Sequence, residues 1–305
     1  MTRLVQMPAA LPAEISGPQE RARWCCAQLE EGNILSFPSL PFEFPRADIE
    51  FLLTQQQSGA RVHKNIAYRP AQDRLTGYAG GDAPQVAQLR EVMRRYSQRT
   101  IRFTAELLAP YAEHWRVDFA SFRPQQEKGR QIRESARNDL FHFDSFPTRP
   151  VNGDRILRIF TNLNPTEPRV WNTAETFDVL AERFAGSAGL PLPTKFASPR
   201  RLALKLAGAV GLGSVARSPY DRWMLRFHHF LKAHEDFQRT APRARWEFPP
   251  LSTWLVFTDM VSHAVLSGQF ALEQTFIISK DSLVTPEKAP VRILERLAGG
   301  ELTLN

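Results

Sequence analysis

The chain has 305 residues, 43% of them hydrophobic and 10% aromatic, which excludes a mainly disordered state and permits a large buried core. A net charge of +7, with Arg more frequent than Lys, favours an anionic partner such as a carboxylate, a phosphate or a phospholipid headgroup. No basic-aromatic stacking signature is present, so no nucleic-acid partner is expected.

Cys25 and Cys26 are adjacent and fit neither a disulfide framework nor a zinc spacing, which points to a reducing compartment. Met1 to Ser16 lacks a charged start followed by an apolar run, and no stretch is long and apolar enough to span a bilayer. A cytoplasmic location is therefore expected. The absence of G-x-S-x-G, Walker and G-x-G-x-x-G patterns argues against a serine hydrolase, a P-loop enzyme and a dinucleotide-binding domain.

In chain order, residues 1–20 are rich in Pro and Ala and are expected to be loosely held, leaving 21–305 as a single domain. Gln19 to Glu31 reads as a helix stopped by Gly32, and Ile34 to Phe37 as a short strand closed by Pro38. A short helix is expected from Asp48 to Gln57. A long one runs from Ala83 to Trp115, with Val86, Leu89, Val92, Met93 and Tyr96 on one stripe and an interruption at Pro110. Strands follow at Val117 to Phe122, Leu140 to Asp144, Arg155 to Asn162 and Arg169 to Trp171. Thr173 to Phe184 has helical character and opens a helical insert that runs to about residue 245.

Strands resume at Ser252 to Thr258, His263 to Leu266 and Gln269 to Ile278, with Ser267-Gly268 as a hairpin turn. Two distant strand blocks closing round one pocket predict an α+β protein. Its core would be a double-stranded β-helix, a jelly-roll or cupin-like barrel, with N-terminal and inserted helices.

Inside the insert, residues 199–213 carry an apolar surface interrupted by cations, and Arg217, Arg222 and Arg226 extend the positive character towards Trp223. This stretch, 199–226, suits an anionic membrane surface; the alternative is an ordinary helix packed on the core. His228, His229, His234 and Glu235 crowd a helical segment whose spacing is awkward for a metal, so a solvated face is expected there.

The candidate chemistry lies at Phe141-His142-Phe143-Asp144. Strand side chains alternate, so His142 and Asp144 share a face while Phe141 and Phe143 point into the opposite layer. One imidazole and one carboxylate make two thirds of a 2-His-1-carboxylate site, which suits non-haem Fe(II) oxygenases. His263, in Val261-Ser262-His263-Ala264-Val265, is the candidate third ligand. Asp259 could orient it or cap the nearby turn.

Three phrases resemble one bacterial family: Asn138 to Pro147, Arg155 to Pro165, and Thr258 to Val265. Leu35 to Phe42 and Lys64-Asn65-Ile66 add to the likeness. The family is the Kdo hydroxylases, Fe(II)/2-oxoglutarate-dependent dioxygenases acting on the 3-deoxy-D-manno-oct-2-ulosonic acid sugar of lipopolysaccharide. The resemblance implies iron on His142, Asp144 and His263, with 2-oxoglutarate as co-substrate. It also implies hydroxylation at C3 of Kdo to give Ko on Kdo-bearing lipid A, at the inner face of the bacterial inner membrane.

The second carboxylate of 2-oxoglutarate requires a cation, yet Gln269 to Thr275, beyond His263, holds no Arg or Lys. Many relatives place that cation there, whereas some members place it on the strand after H-x-D. The resemblance therefore makes Arg158 the expected clamp, with Asn162 on the same strand face as a supporting donor and Arg155 on the other face. The alternative for Arg158 is a structural ion pair with a local acid. A jelly-roll module that binds an anionic sugar without chemistry, and a dioxygenase with a different substrate, also fit the sequence.

Overall fold

The computed structural model describes residues 1–58, 65–130, 132–193 and 217–304. In chain order these form β1 (Leu4–Gln6), α1 (Pro18–Glu30), β2 (Ile34–Phe37), α2 (Arg46–Leu53), β3 (Ile66–Arg69), β4 (Arg74–Thr76), α3 (Ala83–Leu107), α4 (Ala109–Ala112) and β5 (Trp115–Arg123). Next come β6 (Arg155–Asn162), β7 (Arg169–Thr176), α5 (Phe177–Phe184), α6 (Pro219–Ala233), α7 (Glu235–Thr240), β8 (Ala244–Phe248), β9 (Thr253–Phe257), β10 (Val261–Ser267), β11 (Ala271–Ile278) and α8 (Pro290–Ala298).

The strands make two sheets. The larger has the order β1-β2-β9-β6-β11-β5-β3-β4 and the smaller β10-β7-β8, antiparallel throughout except for the parallel β1–β2 pair. Phe160 and Trp254 of the large sheet pack with Trp171, Phe248 and Val265 of the small one, so the two sheets share one apolar layer. Every residue of β6, β7 and β11 is buried, because these central strands are covered on both faces. They carry Arg158, Arg169 and Glu273, while β5 carries Arg123 at its partly buried end.

Helix boundaries follow local chemistry. Asp82 caps α3 by accepting from the Gln85 amide at 2.8 Å, and Pro110 divides α3 from α4 as its missing N–H requires. Ser218 and Asp221 form a reciprocal cap on α6, whose Tyr220, Trp223, Phe227 and Leu231 are buried at helical spacing. Gly32 ends α1 with φ +80, where a Cβ would lie 2.8 Å from Thr176 Cγ2.

Several expectations need correction. The N-terminus is not loose at Leu4–Gln6: β1 pairs with β2, and Val5 and Met7 are buried in the core. Thr173 to Thr176 continue β7 rather than starting a helix, since pairing with β8 and β10 claims their backbone groups. β8 closes the insert as a strand. Ser267 and Gly268 do not make a hairpin, because β10 and β11 lie in different sheets and the turn carries the chain between them. Residues 199–216 of the anticipated membrane-facing stretch lie outside the described residues. Within α6, Arg222 and Arg226 are exposed, but Trp223 is buried against Phe177 and Phe227 and is not available to a bilayer.

Candidate metal centre

Leu140 to Asp144 does not form a regular strand. His142 instead makes one antiparallel bridge to His263 at the free edge of β10. The His142 amide donates to His263 O at 3.2 Å and the His263 amide to His142 O at 3.0 Å, while the Asp144 amide donates to Thr258 O at 2.8 Å. This pairing keeps the alternation anticipated from the sequence. Phe141 packs on Phe237 and Phe143 on Phe177 and Phe227, away from the two ligand side chains.

His142, Asp144 and His263 each offer one ligand atom, and these atoms lie within 4.8 Å of one another. Among the described residues no other group of three converges in this way. The ring orientations are set by the main chain. His142 Nδ1 lies 2.7 Å from Leu140 O and His263 Nδ1 2.9 Å from Val261 O. A carbonyl only accepts, so each Nδ1 carries the hydrogen and each Nε2 presents a lone pair. Trp171 stacks on His263 with ring centroids 5.1 Å apart and planes at 18°.

Burial holds both imidazoles below their ordinary pKa, aided for His142 by the nearby His263, so both are neutral at neutral pH and could act as nitrogen donors to a metal. Burial alone would raise Asp144, but the Arg158 guanidinium overcomes this and holds the carboxyl far below its usual range. Two neutral nitrogens and one carboxylate oxygen, fixed by main-chain hydrogen bonds, fit a divalent iron with open positions.

A cavity of about 310 Å³ opens over these groups, with Arg123, Arg158, Arg169, Lys232 and His228 in its wall. The charges are arranged as a ladder. Arg158 donates from Nη1 to Asp144 Oδ2 at 2.7 Å and from Nη2 to Glu273 Oε1. Glu273 Oε2 accepts from Arg123 Nε at 2.9 Å, and Glu127 then lies 3.5 Å from Arg123 and 3.4 Å from Arg169. The Nε atoms of Arg158 and Arg169 are buried without a partner.

The family model for 3-deoxy-D-manno-oct-2-ulosonic acid (Kdo) hydroxylase matches residues 13–301. The chain belongs to the Kdo hydroxylase family. Solved structures of the Kdo hydroxylase KdoO, a non-haem Fe(II) α-ketoglutarate-dependent dioxygenase, share its architecture. The apo form is 34% identical, with 99% of this chain and 97% of that chain covered and a TM-score of 0.81. The cobalt(II) complex is 34% identical over 98% and 97%, at 0.82. The complex with α-ketoglutarate and Fe(III) is 32% identical over 99% and 97%, at 0.80. Among curated proteins no relative matches.

The hydroxylase site differs from the sequence expectation in four places. Asn162 shares a strand face with Arg158 but lies about 13 Å further along β6. Its amide donates to the carbonyls of Glu167 and Phe248, both at 3.0 Å, so it braces a turn and is no cavity donor. Asp259 does not orient His263; it forms a buried ion pair with Arg155 at 2.9 Å. His228 is not on a solvated face: its Nδ1 donates to Phe143 O at 2.7 Å and its ring lies 5.0 Å from that of His142. His234 caps α7, accepting from the Phe237 amide at 3.2 Å. Arg169, Trp171, Glu273 and Lys232 were not foreseen, since strand alternation within one segment says nothing about which strands become neighbours.

Proposed function

We propose that this chain is an Fe(II)/2-oxoglutarate-dependent dioxygenase that hydroxylates C3 of Kdo on Kdo-bearing lipid A, giving Ko. The reading is carried by the convergence of His142, Asp144 and His263 within 4.8 Å beneath a cation-walled cavity. The order β5-β11-β6-β9 within one sheet, and β10-β7-β8 with the ligand segment bridged to β10 in the other, supports a double-stranded β-helix core. Bound iron and 2-oxoglutarate supply the oxidising chemistry, in which one oxygen atom of O2 enters the sugar and the other enters succinate.

The chain's own residues bind, orient and exclude. Asp144 turns Oδ1 towards His142 Nε2, 3.7 Å away, and gives Oδ2 to Arg158, which favours attachment to the metal through one oxygen and leaves positions open. Trp171 and the apolar layer behind it shield the His263 side of the site from water. The far carboxylate of 2-oxoglutarate is received by the cationic wall. Arg158, the clamp expected from the sequence, has donors to spare, but two carboxylates already share its charge. Arg169 has a single acidic partner at 3.4 Å, and burial lowers its pKa to about 10, so it is the stronger anchor. The Kdo carboxylate then has Lys232, buried in the cavity wall and donating to Ser135 O at 3.2 Å, and the exposed His229 as donors.

Among the described residues no helix is long and apolar enough to cross a membrane. The exposed Arg222 and Arg226 support contact with an anionic bilayer surface, where the lipid-anchored substrate lies. Vesicle flotation with and without anionic lipid tests that contact. A succinate-release assay with Kdo-bearing lipid A, with and without ferrous iron, tests the activity. Iron-dependent succinate together with addition of one oxygen atom to the Kdo unit supports the assignment. Kdo binding that survives in a His142→Ala variant, with no iron-dependent succinate release from the wild type, would point to a metal-free sugar-binding module instead.

A further inference from the structure

Glu273 has no evident place in the site as described. It is a carboxylate 3% exposed, one ion pair away from the metal ligands, beside a cavity that must admit two anions. By simple electrostatics it opposes both of them. Its position in the sheet resolves the difficulty.

β11 lies between β6 and β5. Glu273 is directly opposite Phe160 on β6 and Ser121 on β5, which places Arg158 and Arg123 at its two diagonal neighbours. One carboxylate oxygen takes Arg158 and the other takes Arg123 at 2.9 Å. Arg158 is thereby held from one end, and its other terminal nitrogen reaches Asp144 Oδ2 at 2.7 Å. The three strands thus set the direction of a metal ligand that belongs to none of them.

We propose that Glu273 is a positioning residue for the iron centre: through Arg158 it fixes the rotation of the Asp144 carboxylate, so that Oδ1 alone is presented to the metal. The proposal rests on the dioxygenase reading above. Without the Glu273 charge, Arg158 is free to turn towards other acceptors. The Asp144 carboxylate would then lose the guanidinium and keep only its Thr258 side-chain partner, and both of its oxygens would be free to reach a bound metal. Replacing a direct partner of a ligating group typically alters metal affinity by about 10- to 100-fold; Glu273 lies one contact further out, so the lower end of that range is expected for it.

The test is anaerobic titration of the whole protein with cobalt(II), followed by its visible absorption spectrum, in wild type, Glu273→Gln and Asp259→Asn. The last variant breaks the Arg155–Asp259 pair, which is equally buried and starts from the same strand but on its other face. The expected result is a cobalt dissociation constant changed about 10-fold or more in Glu273→Gln, with an altered cobalt spectrum. Asp259→Asn is expected to melt earlier yet keep the wild-type constant and spectrum.

Equal constants and spectra for wild type and Glu273→Gln overturn the proposal, as do equal changes in both variants, which would mark a general loss of packing. Should Glu273→Gln fail to fold, Glu273→Asp keeps the charge but is too short to reach both arginines. It is expected to shift the cobalt spectrum, and an unshifted spectrum overturns the proposal. A wild-type protein that binds no cobalt defeats the dioxygenase reading itself, a separate failure.

Discussion

His142 and His263 exchange two main-chain hydrogen bonds, at 3.2 and 3.0 Å, so the two imidazoles proposed as metal ligands, far apart in sequence, are joined by their backbones independently of any ion. The imidazoles are further held by their own neighbouring carbonyls, at 2.7 and 2.9 Å. Metal binding therefore costs little ordering of side chains, and most of its free energy appears as added stability.

That arrangement predicts a melting temperature that depends on metal. Ferrous or cobalt ion at one hundred times its dissociation constant contributes about 2.7 kcal/mol. For a chain of this size the rise is roughly 5 °C. Differential scanning calorimetry on wild type and His263→Ala checks it: the wild type shifts and the variant does not. Turnover in the variant is expected to fall by at least about a hundredfold, given three ligands acting as a unit.

The two arginines of the cavity wall should separate kinetically. Arg169→Gln removes the anchor proposed for the far carboxylate, and a charge-assisted hydrogen bond of about 1.5–3 kcal/mol corresponds to roughly 10- to 100-fold in KM for 2-oxoglutarate. Arg158→Gln acts on Asp144 and is expected to weaken metal binding first. Steady-state kinetics at varied 2-oxoglutarate, alongside metal titration, distinguishes the two. An unchanged KM in Arg169→Gln would assign the anchor back to Arg158.

Gly268 provides an independent approach to the same anchor. It has φ +126, and a Cβ there would lie 2.7 Å from Arg169 Cγ and 3.0 Å from its Cα. Its carbonyl also accepts from Arg169 Nη1 at 3.1 Å. Gly268→Ala must displace Arg169, so KM for 2-oxoglutarate is expected to rise several-fold with little change in metal affinity. The variant is also expected to be less stable by about 1 kcal/mol or more, from backbone strain alone. Chemical denaturation and kinetics on one preparation measure both effects.

The histidines make the metal-free protein sensitive to acid. Burial, with the nearby Lys232 charge, lowers His228 to about 4, and burial lowers His142 and His263 as well. Between the ordinary value near 6.5 and about 4, the unfolded chain binds more protons than the folded one. Stability therefore rises with pH across this window and is lost as pH falls through it. Urea midpoints measured from neutral pH down to about 4.5 should fall steadily, and His228→Gln should flatten the slope. A midpoint that stays constant over that range counts against the assignment.

Much of the site was legible before any folding was considered. Alternation along Phe141-His142-Phe143-Asp144 placed two ligands on one face and two rings in the core, and the contacts of Phe141 and Phe143 follow that division. The same rule over-reached at Asn162, because sharing a strand face with Arg158 does not bring two side chains within reach of one ligand. It gave no sign of His228, whose helix packs on Phe143 and Phe177 through Trp223 and Phe227 and so brings the His228 Nδ1 hydrogen to Phe143 O.

The sequence by itself determined the period-two placement of His142 and Asp144, the helices with their Pro, Asp and Gly ends, and the apolar content that buries β6, β7 and β11. These are local properties, set by backbone sterics and side-chain alternation over a few residues. Only the tertiary structure decided that β11 lies between β5 and β6, so that Glu273 holds Arg123 and Arg158 while Arg155 turns away to Asp259. Strand order is settled by which apolar faces cover one another across the whole domain. The partners of a buried charge follow from that order and from no shorter stretch of chain.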